Sequence, residues 1–565
     1  MRSLRLFLLT WLISIPAVFG EEVRQDPASD AGVVQERIRE EGEAQGQPER
    51  RAPEIDVPPP AAPPSAVPEV RFVVSAIQLQ GNTVFPTATF ASLIAAYEQR
   101  EVTVQELQVL AEAIQQVYRQ RGYVTTVAFL SPQRIEAGRV TIQIVEGRLG
   151  RTLLEGQRHF SARRLLRYWP FAQGDLLQYG RLRRALARLN DHPDRQVQAL
   201  LRPGAAVGET DVILKVTDRL PVHLGGQWDR QGTQSIGRLR YGASFGHNNL
   251  LGLDDRGVLA GVFGNRFGAL FTQYTLPLTR YGTAAIAGWS YSQTSPKRHF
   301  KPFGINGISQ TFWLALSQAL VETEQLFLQG QLRLDVKESK TKQLGGTSQR
   351  DRLRAIRLEP SLRLTDVWGS WVVEQETAFG IKGLGATSEN NPVASRPGTK
   401  PDFLKIGFVV HRLHRLPWHT QLSLKLETQL ATSKLAPQEE LYLGGAQSIR
   451  GYPEGDYLAD QGVIARGEWL IPCRFLPDTW RLPGTGTPVG EQLMVLGFLD
   501  RGYGRLRAIT GTERSTRNLT GLGLGAQFRI ANSLVARIEW GFSVGDRPLT
   551  DDSSSILHFS FRSDL

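Results

Sequence analysis

From residue 221 to the C terminus, apolar and polar residues alternate in segments of about ten residues. In residues 534–544, Ile538 and Trp540 fall on one face of such a segment, and Arg537 and Glu539 fall on the other. This period of two is typical of β-strands with unlike faces. Strands of a soluble sandwich are usually nearer five or six residues, whereas strands of about ten are typical of transmembrane barrels. We therefore predict a β-barrel of about sixteen antiparallel strands over residues 220–565.

The gaps between these predicted strands are unequal in length. Long gaps follow strands five, seven, nine, eleven and thirteen, and short ones such as Ala531-Asn532 lie between them. Long outside loops and short periplasmic turns are typical of outer-membrane barrels, so the pattern places the N-terminal part of the chain in the periplasm. The gap from Pro472 to Gly490 is longer than this pattern allows.

The N-terminal region has three parts before any folded domain is indicated. Basic, apolar and small residues follow one another over residues 1–20, which predicts a secretory signal peptide. Residues 21–47 contain Val34 and Ile38, four apart among charged residues, and predict a short hydrophilic helix. The Pro-rich residues 48–69 predict an extended linker. The helix is open to two interpretations, a disordered tail or a detachable plug for a water-filled lumen.

Two small α+β units are predicted next, at residues 70–147 and 148–219, each with the order strand, helix, helix, strand, strand. In the first unit, Thr103 to Glu106 matches a capping box that opens the longer helix, and Gly122 ends that helix. The second unit is rich in arginine. This pattern fits a solvated helix face or a contact with anionic head groups or an acidic client. The arginines concerned are Arg163, Arg164, Arg167, Arg181, Arg183, Arg184 and Arg188.

The composition of the chain and its motifs exclude several classes of function. The formal net charge is +11, but no folded nucleic-acid motif is present, so we expect a basic surface and no nucleic-acid partner. The single cysteine, Cys473, forms neither an intramolecular disulfide nor a zinc cluster. The chain contains no Gly-rich phosphate loop with a following Lys-Ser/Thr, and no His-Glu-x-x-His. We therefore expect no enzyme, no catalytic residues, no metal and no cofactor.

Two short runs in the barrel region carry the candidate site. The longest strand gap contains Leu441-Tyr-Leu-Gly-Gly-Ala-Gln-Ser-Ile-Arg-Gly-Tyr452, and a later strand contains Phe498-Leu-Asp-Arg-Gly502. A long polar loop in a wide pore needs an anchor, and an arginine can grip a carboxylate through two hydrogen bonds. We predict that Arg450 meets Asp500 inside the barrel. Gly451 would allow a tight tip and Tyr452 would pack on the wall.

These features together resemble one family. The two α+β units resemble tandem POTRA domains, and residues 189–211 resemble the second POTRA of two-partner secretion outer-membrane transporters, the TpsB-type haemolysin-activator and haemagglutinin-exporter family. Arg450, Gly451 and Tyr452 match the family's loop motif, with Ile449 where valine is usual. Phe498, Asp500 and Gly502 match its second barrel motif. The C terminus departs from the usual outer-membrane ending, because Phe559 and Phe561 alternate correctly but the chain ends in Leu565.

The resemblance implies an outer-membrane pore that exports a large partner exoprotein from the periplasm to the cell surface. The client would dock on the POTRA domains, whose exposed sheet edges can accept an extended segment; the alternative is that these domains only space or orient the barrel. The transporter would contact outer-membrane lipid, act as a monomer and use client folding outside, rather than ATP, as the driving force. The main alternative is an assembly factor that inserts other β-barrel proteins. That relative usually has more POTRA units and lacks the N-terminal helix and linker.

Two further alternatives and one open question follow from the same residues. A passive porin has no reason to carry two N-terminal domains, and a barrel-bound enzyme lacks a catalytic constellation. Whether Arg450 and Asp500 gate transport or only stabilise the barrel is left open. We expect Arg450→Ala to impair export, and Arg450→Asp combined with Asp500→Arg to restore part of it.

Overall fold

The computed structural model describes residues 30–45, 54–56, 71–323, 325–482, 486–509, 514–530 and 533–564. The predicted signal peptide lies outside the described residues. The chain divides into two compact units, one of residues 48–221 and one of residues 1–47 with 222–565. The first helix, α1 (Ala31–Gln45), belongs to the second of these units.

Among the described residues, no helix is both long enough and apolar enough to cross a membrane.

In its described residues, the unit of residues 48–221 contains two small sheets that are covered by helices, and a separate two-stranded sheet. Its elements are β1 (Glu54–Asp56), β2 (Arg71–Val74), β3 (Ala76–Gln80), α2 (Ala91–Ala95), β4 (Arg100–Thr103), α3 (Val104–Gln120), β5 (Val127–Leu130), β6 (Arg139–Val145), β7 (Arg148–Glu155), α4 (Ala162–Leu166), α5 (Tyr179–Leu189), β8 (Arg195–Pro203) and β9 (Glu209–Asp218).

The first half of this unit is a three-stranded sheet in the order β3–β6–β5, with α3 packed on it. The predicted capping box is present, because Glu106 N donates to Thr103 Oγ1 at 3.1 Å and Thr103 N donates to Glu106 Oε2 at 2.7 Å. The prediction of one strand at the start of the first unit is wrong. This strand is divided at Ser75, whose N–H donates to the carbonyl of Gly138, and the first piece pairs instead with the unpredicted β4.

The second half is a four-stranded sheet in the order β1–β8–β9–β7. The strand β1 comes from the Pro-rich linker and pairs in parallel with the outer edge of β8. Part of residues 189–211, which follow α5, has a structural role here. Asn190 exchanges two hydrogen bonds with the backbone of Val197, and Asp194 is 2.8 Å from the guanidinium of Arg219. These bonds fix the turn that leads into the sheet.

The second unit is a closed barrel with α1 inside it. Its wall consists of β10 (Val222–Asp229), β11 (Arg240–His247), β12 (Arg256–Gly264), β13 (Phe267–Pro277), β14 (Thr283–Thr294), β15 (Asn306–Glu322), β16 (Leu326–Gln343), β17 (Gly346–Leu358), β18 (Ser361–Asp366), β19 (Gly369–Gly380), β20 (Leu404–Arg415), β21 (Gln421–Ala431), β24 (Gln461–Pro472), β25 (Leu493–Arg505), β26 (Thr516–Ile530), β27 (Leu534–Ser543) and β28 (Ser555–Asp564). The intervening β22 (Leu441–Leu443) and β23 (Tyr457–Ala459) pair with each other.

These seventeen wall segments make sixteen strands, as predicted. The segments β17 and β18 both pair with β16 and β19, so they are two parts of one strand. The interruption falls at Glu359 and Pro360, where proline has no N–H to give to the ladder. Pairing of β10 with β28 closes the barrel. Closure leaves no open sheet edge in the hydrocarbon region.

The alternation predicted from the sequence separates the two faces of the wall. On β15, Phe312, Leu314 and Leu316 point outward and are exposed, whereas Thr311 and Ser309 are buried inside. An apolar outer face and a polar inner face are what a barrel in lipid requires.

One predicted loop is wrong. A long gap was expected after the seventh strand, but β16 and the strand that follows it extend into a long hairpin with a turn at Leu344-Gly345. The added residues are mostly polar, such as Lys340 and Arg350, so hydropathy alone gave no sign of a strand. The long gaps after the fifth, ninth and eleventh strands are loops, as predicted, and the described residues of the gap after the thirteenth strand also lie outside the wall strands.

The helix α1 lies against the inner wall of the barrel. Val34 and Ile38 form one cluster with Ile236, Phe267 and Trp313 of the second unit. Gln35 is held from both sides, because its Nε2 donates to Ser290 Oγ at 2.5 Å and its Oε1 accepts from Ser309 Oγ at 2.7 Å. The apolar pair that predicted the helix is therefore the face that packs on the wall.

Candidate functional site: the Arg450 network inside the barrel

The loop of residues 432–460, here the Arg450 loop, connects β21 to β24. Its stem is the β22–β23 pair, and Gly444 and Gly445 turn the chain with φ values of 102° and 103°. Positive φ favours glycine, so these two residues permit the sharp turn that directs Arg450 onto the barrel wall. Ile449 and Tyr452, on either side of the arginine, are fully buried.

Arg450 is fully buried and binds three carboxylates. Its Nε and Nη2 donate to the two oxygens of Asp500 at 2.6 Å each, and its backbone N–H also donates to Asp500 at 3.1 Å. Its Nη1 donates to Glu468 Oε1 at 2.6 Å and to Glu539 Oε1 at 2.5 Å. We call Arg450, Asp500, Glu468 and Glu539 the Arg450 network.

The other predicted site residues gather around this arginine. The guanidinium carbon of Arg450 lies 3.6 Å from the ring centre of Phe498, a cation–π contact. A Cβ at Gly502 would lie 2.1 Å from Ile449, so glycine makes room for the loop. Backbone N–H groups of Thr520 and Gly545 donate to Tyr452 Oη at 3.4 and 3.1 Å.

Gly451 is the tightest point of the loop, and the wall beneath it is also made of glycine. Gly451 has φ of 90°, and a Cβ there would lie 2.6 Å from the backbone of Phe542. A Cβ at Gly521 would lie 1.8 Å from the carbonyl oxygen of Arg450, and one at Gly541 would lie 2.6 Å from Gly451 N. The loop tip therefore contacts the wall backbone to backbone. Gly521 and Gly541 were not predicted as site residues.

Sequence reasoning also missed two carboxylates and two arginines. Glu468 and Glu539 share Arg450, and Arg537 Nη2 lies 2.8 Å from each of them. Arg466 Nε lies 3.6 Å from Asp500. With these residues the site holds three arginines and three carboxylates, and its formal charge is balanced. The inward alternation of Arg537 and Glu539 was the available signal, but it did not show that they converge on Arg450.

Charge interactions stabilise Arg450 in its buried position. Burial by itself would lower the pKa of Arg450, but hydrogen bonding to Asp500 and the attraction of the carboxylates raise it above the ordinary value. The guanidinium therefore stays charged. Because breaking a buried ion pair leaves an uncompensated charge, such a site resists partial disruption.

A second ionic cluster holds the base of the same loop. Glu439 is fully buried against Arg357 and lies 2.9 Å from Lys337 Nζ and 2.7 Å from Lys405 Nζ. Lys337 also binds Glu36 of α1 at 3.0 Å. The loop is thus anchored on β16, β17 and β20 at its base and on β24, β25 and β27 at its tip.

Within the described residues, no group of three or more His, Cys, Asp and Glu side chains is placed to hold a metal ion.

Comparison with known proteins identifies the family. Residues 72–147 match the model of the ShlB-type POTRA domain, and residues 208–528 match that of the haemolysin secretion/activation protein ShlB/FhaC/HecB. The outer membrane transporter CdiB of Dickeya dadantii is 25% identical over 433 residues, which cover 74% of each chain.

Two solved structures have the same fold. CdiB from Escherichia coli superposes with a TM-score of 0.68 at 20% identity, covering 94% of this chain and 96% of that one. BamA from Haemophilus ducreyi lacking POTRA domains 1–3 gives 0.53 at 15% identity, covering 87% and 100%. The family model alone spans more than half of the 565 residues. The chain therefore belongs to the ShlB/FhaC/HecB family of haemolysin secretion/activation proteins.

Proposed function

We propose that this protein is an outer-membrane pore that exports a large partner protein to the cell surface in two-partner secretion. The observation that carries the proposal is a closed barrel whose lumen holds both a separate N-terminal helix and a loop anchored through Arg450. A passive porin has no need of a removable helix or of POTRA-type domains. The more distant likeness to BamA and the family match favour export over barrel assembly.

The helix α1 is the plug of this pore in our proposal. Its apolar residues pack on the wall, and Glu36 binds Lys337 at 3.0 Å, so the helix is held by contacts that can be broken without unfolding the barrel. The Arg450 loop lies in the same lumen. We infer that the Arg450 network holds the loop on the inner wall while the pore is plugged.

The client docks, in this proposal, on the first POTRA-type domain. Among the described residues, β5 pairs only with β6, so its other edge is open to an extended segment. Val127 and Phe129 on this strand are 47% and 40% exposed. The corresponding edge of β8 in the second domain is already covered by β1. An unpaired edge with two exposed apolar side chains fits β-augmentation by a client strand.

The remaining partners follow from the outer surface of the barrel. Exposed apolar side chains such as Phe312 and Leu314 fit contact with membrane lipid. One closed barrel provides one complete lumen, so we propose that the monomer is the working unit. We infer that export involves no catalytic step by this chain.

Export by complementation tests this function. The gene is deleted in its host, and the medium is assayed for a large secreted protein encoded beside it. The wild-type gene should restore secretion. Phe129→Ser should reduce it, whereas Val73→Ser, an exposed residue of the separate β2–β4 pair, should not. Undiminished secretion after the deletion would refute the export function, and equal secretion by the two variants would refute docking on β5.

A further inference from the structure

The plug helix is inserted between an arginine of the wall and a glutamate of the Arg450 loop. Arg37 and Glu41 are one helical turn apart and can share a face of α1. Arg37 Nη2 lies 3.0 Å from Glu454 Oε2, and Arg37 Nη1 donates to Tyr442 Oη at 2.8 Å. Glu41 Oε1 accepts from Nη1 and Nη2 of Arg240 at 3.3 and 3.2 Å. These four residues form one charged group. The helix contributes Arg37 and Glu41 to it, and the rest of the unit contributes Arg240 and Glu454.

The four charges act on one another. Arg37 interacts electrostatically with Arg240 and Glu41 as well as with Glu454, and Arg240 interacts with Glu454. Two positive and two negative charges make the group neutral while the helix is in place. Arg240 has a further partner in Asp229, which it binds through two hydrogen bonds of 2.7 and 3.1 Å.

Glu454 also supports the turn that presents Arg450. Its Oε1 accepts from the backbone N–H of Ala446 at 2.8 Å, and a Cβ at Gly445 would lie 2.1 Å from its other oxygen. The Glu454 side chain is only 3% exposed. Movement of Glu454 would therefore change the position of the turn four residues before Arg450.

Departure of α1 would leave two opposite charges without their helix partners. Arg240 would lose Glu41, one of its two carboxylates, and Glu454 would lose Arg37. Glu454 would keep the N–H of Ala446 as a neutral donor but, among the described residues, would have no cation in contact with it. Because Arg240 and Glu454 already lie within electrostatic range, their attraction provides the compensation that the departing helix removes.

We propose that Arg240 and Glu454 are positioning residues that pair directly once α1 leaves, with Glu454 taking the place of Glu41. The pairing holds the Arg450 loop on the wall while the lumen is unplugged. The Arg450 loop therefore stays in place when the plug helix α1 leaves. This inference rests on the proposed role of α1 as the plug.

The test measures loop position and pore opening separately. Ala446, which is 5% exposed, is replaced by cysteine in a Cys473→Ser background, and residues 30–45 are deleted. In this helix-free protein, Arg240→Gln and Glu454→Gln should each speed thiol labelling of position 446 by about tenfold. The double variant should be no faster than either single one. Arg505→Gln, an exposed arginine of β25 outside the Arg450 network, serves as the control and should leave labelling unchanged.

A conservative substitution gives a second measurement. In the helix-free protein, Arg240→Lys keeps a positive charge facing Glu454 and Asp229, so labelling should be slower than in Arg240→Gln. Single glutamine variants with multiplicative effects, or equal labelling of the lysine and glutamine variants, would overturn the pairing. Conductance across a planar bilayer reports the plug independently: no increase on deletion of α1 would refute the plug role, whatever the labelling shows.

Discussion

Replacing Arg450 tests whether the Arg450 network holds the loop on the wall. Arg450→Ala leaves Asp500, Glu468 and Glu539 with only Arg466 and Arg537, so a balanced group of three and three becomes a group with one excess negative charge. Removing one partner of a buried ion pair costs about 3–5 kcal/mol. At about 1.4 kcal/mol per factor of ten, the ratio of released to docked loop rises roughly a hundredfold to several thousandfold.

The assay is the rate of thiol labelling at a cysteine in position 446, in protein reconstituted into vesicles and free of Cys473. Arg450→Ala should speed labelling strongly. Arg450→Lys should have a smaller effect, because it keeps the charge but loses the two-point grip on Asp500 and the stacking on Phe498. Arg505→Ala is the control, since Arg505 is an exposed arginine at the end of the same strand, β25. Equal labelling rates for Arg450→Ala and wild type would refute the reasoning.

The Arg450 network changes the result expected when the charges of Arg450 and Asp500 are exchanged. In a protein with Arg450→Asp and Asp500→Arg, the aspartate at the loop tip would face Glu468 and Glu539, while the new arginine would face Arg466. Like charges within a few ångströms disfavour one another. We therefore expect no recovery of loop protection in the exchanged protein. Recovery to the wild-type labelling rate would mean that Glu468 and Glu539 contribute little to holding the Arg450 loop on the wall.

Two more predictions concern the wall glycines and the plug. Gly541→Ala should release the loop tip and speed labelling at position 446, because its Cβ would lie 2.6 Å from Gly451 N, whereas Gly226→Ala, with nothing within 4 Å, should not. The second prediction concerns Asp30, at the start of α1, where burial and the nearby Asp351 raise its pKa from 3.8 to about 6. Docking of the helix thus favours the protonated form and weakens as pH rises from about 4 to about 6. Glu40 of the same helix acts in the same direction, because burial and the nearby Glu36 raise its pKa from 4.5 to about 7. Bilayer conductance should therefore be higher at pH 7 than at pH 4.5, and Asp30→Asn should reduce this dependence without abolishing it; a wild-type response independent of pH would contradict the reasoning.

The features that the sequence predicted well are those set by local pattern. The barrel strands follow from alternation, the helices of the first unit from capping and helical periodicity, and the contact between Arg450 and Asp500 from two short motifs. The remaining features depend on register between distant strands. Glu468 and Glu539 converge on Arg450 only because β24 pairs with β25, and β27 lies two strands beyond β25 along the closed wall. The sequence around Glu468 or Glu539 does not indicate that either residue contacts Arg450.

The missed hairpin and the missed strand β4 have another cause. The long extension of β16 is polar on both faces, so the alternation that marks membrane-facing strands is absent there. The strand β4 has four residues, too few for a period to be visible, and it forms only because β2 lies beside it. The linker strand β1 likewise exists through its partner β8 rather than through its own Pro-rich sequence. Tertiary pairing, which no single window of sequence contains, accounts for all three.

Two buried aspartates at the stem of the Arg450 loop tie the outer rim of the barrel together. Asp456 accepts from the backbone N–H groups of Leu549 and Thr550 at 2.7 and 2.9 Å, and Asp460 accepts from that of Arg507 at 2.8 Å. Main-chain donors are present in every residue except proline. The Thr550 hydroxyl adds one side-chain bond to Asp456 at 3.0 Å, but the main-chain bonds do not depend on which side chain is present. A proline at residue 507, 549 or 550 would remove one of these donors and weaken the link between the Arg450 loop and its neighbours.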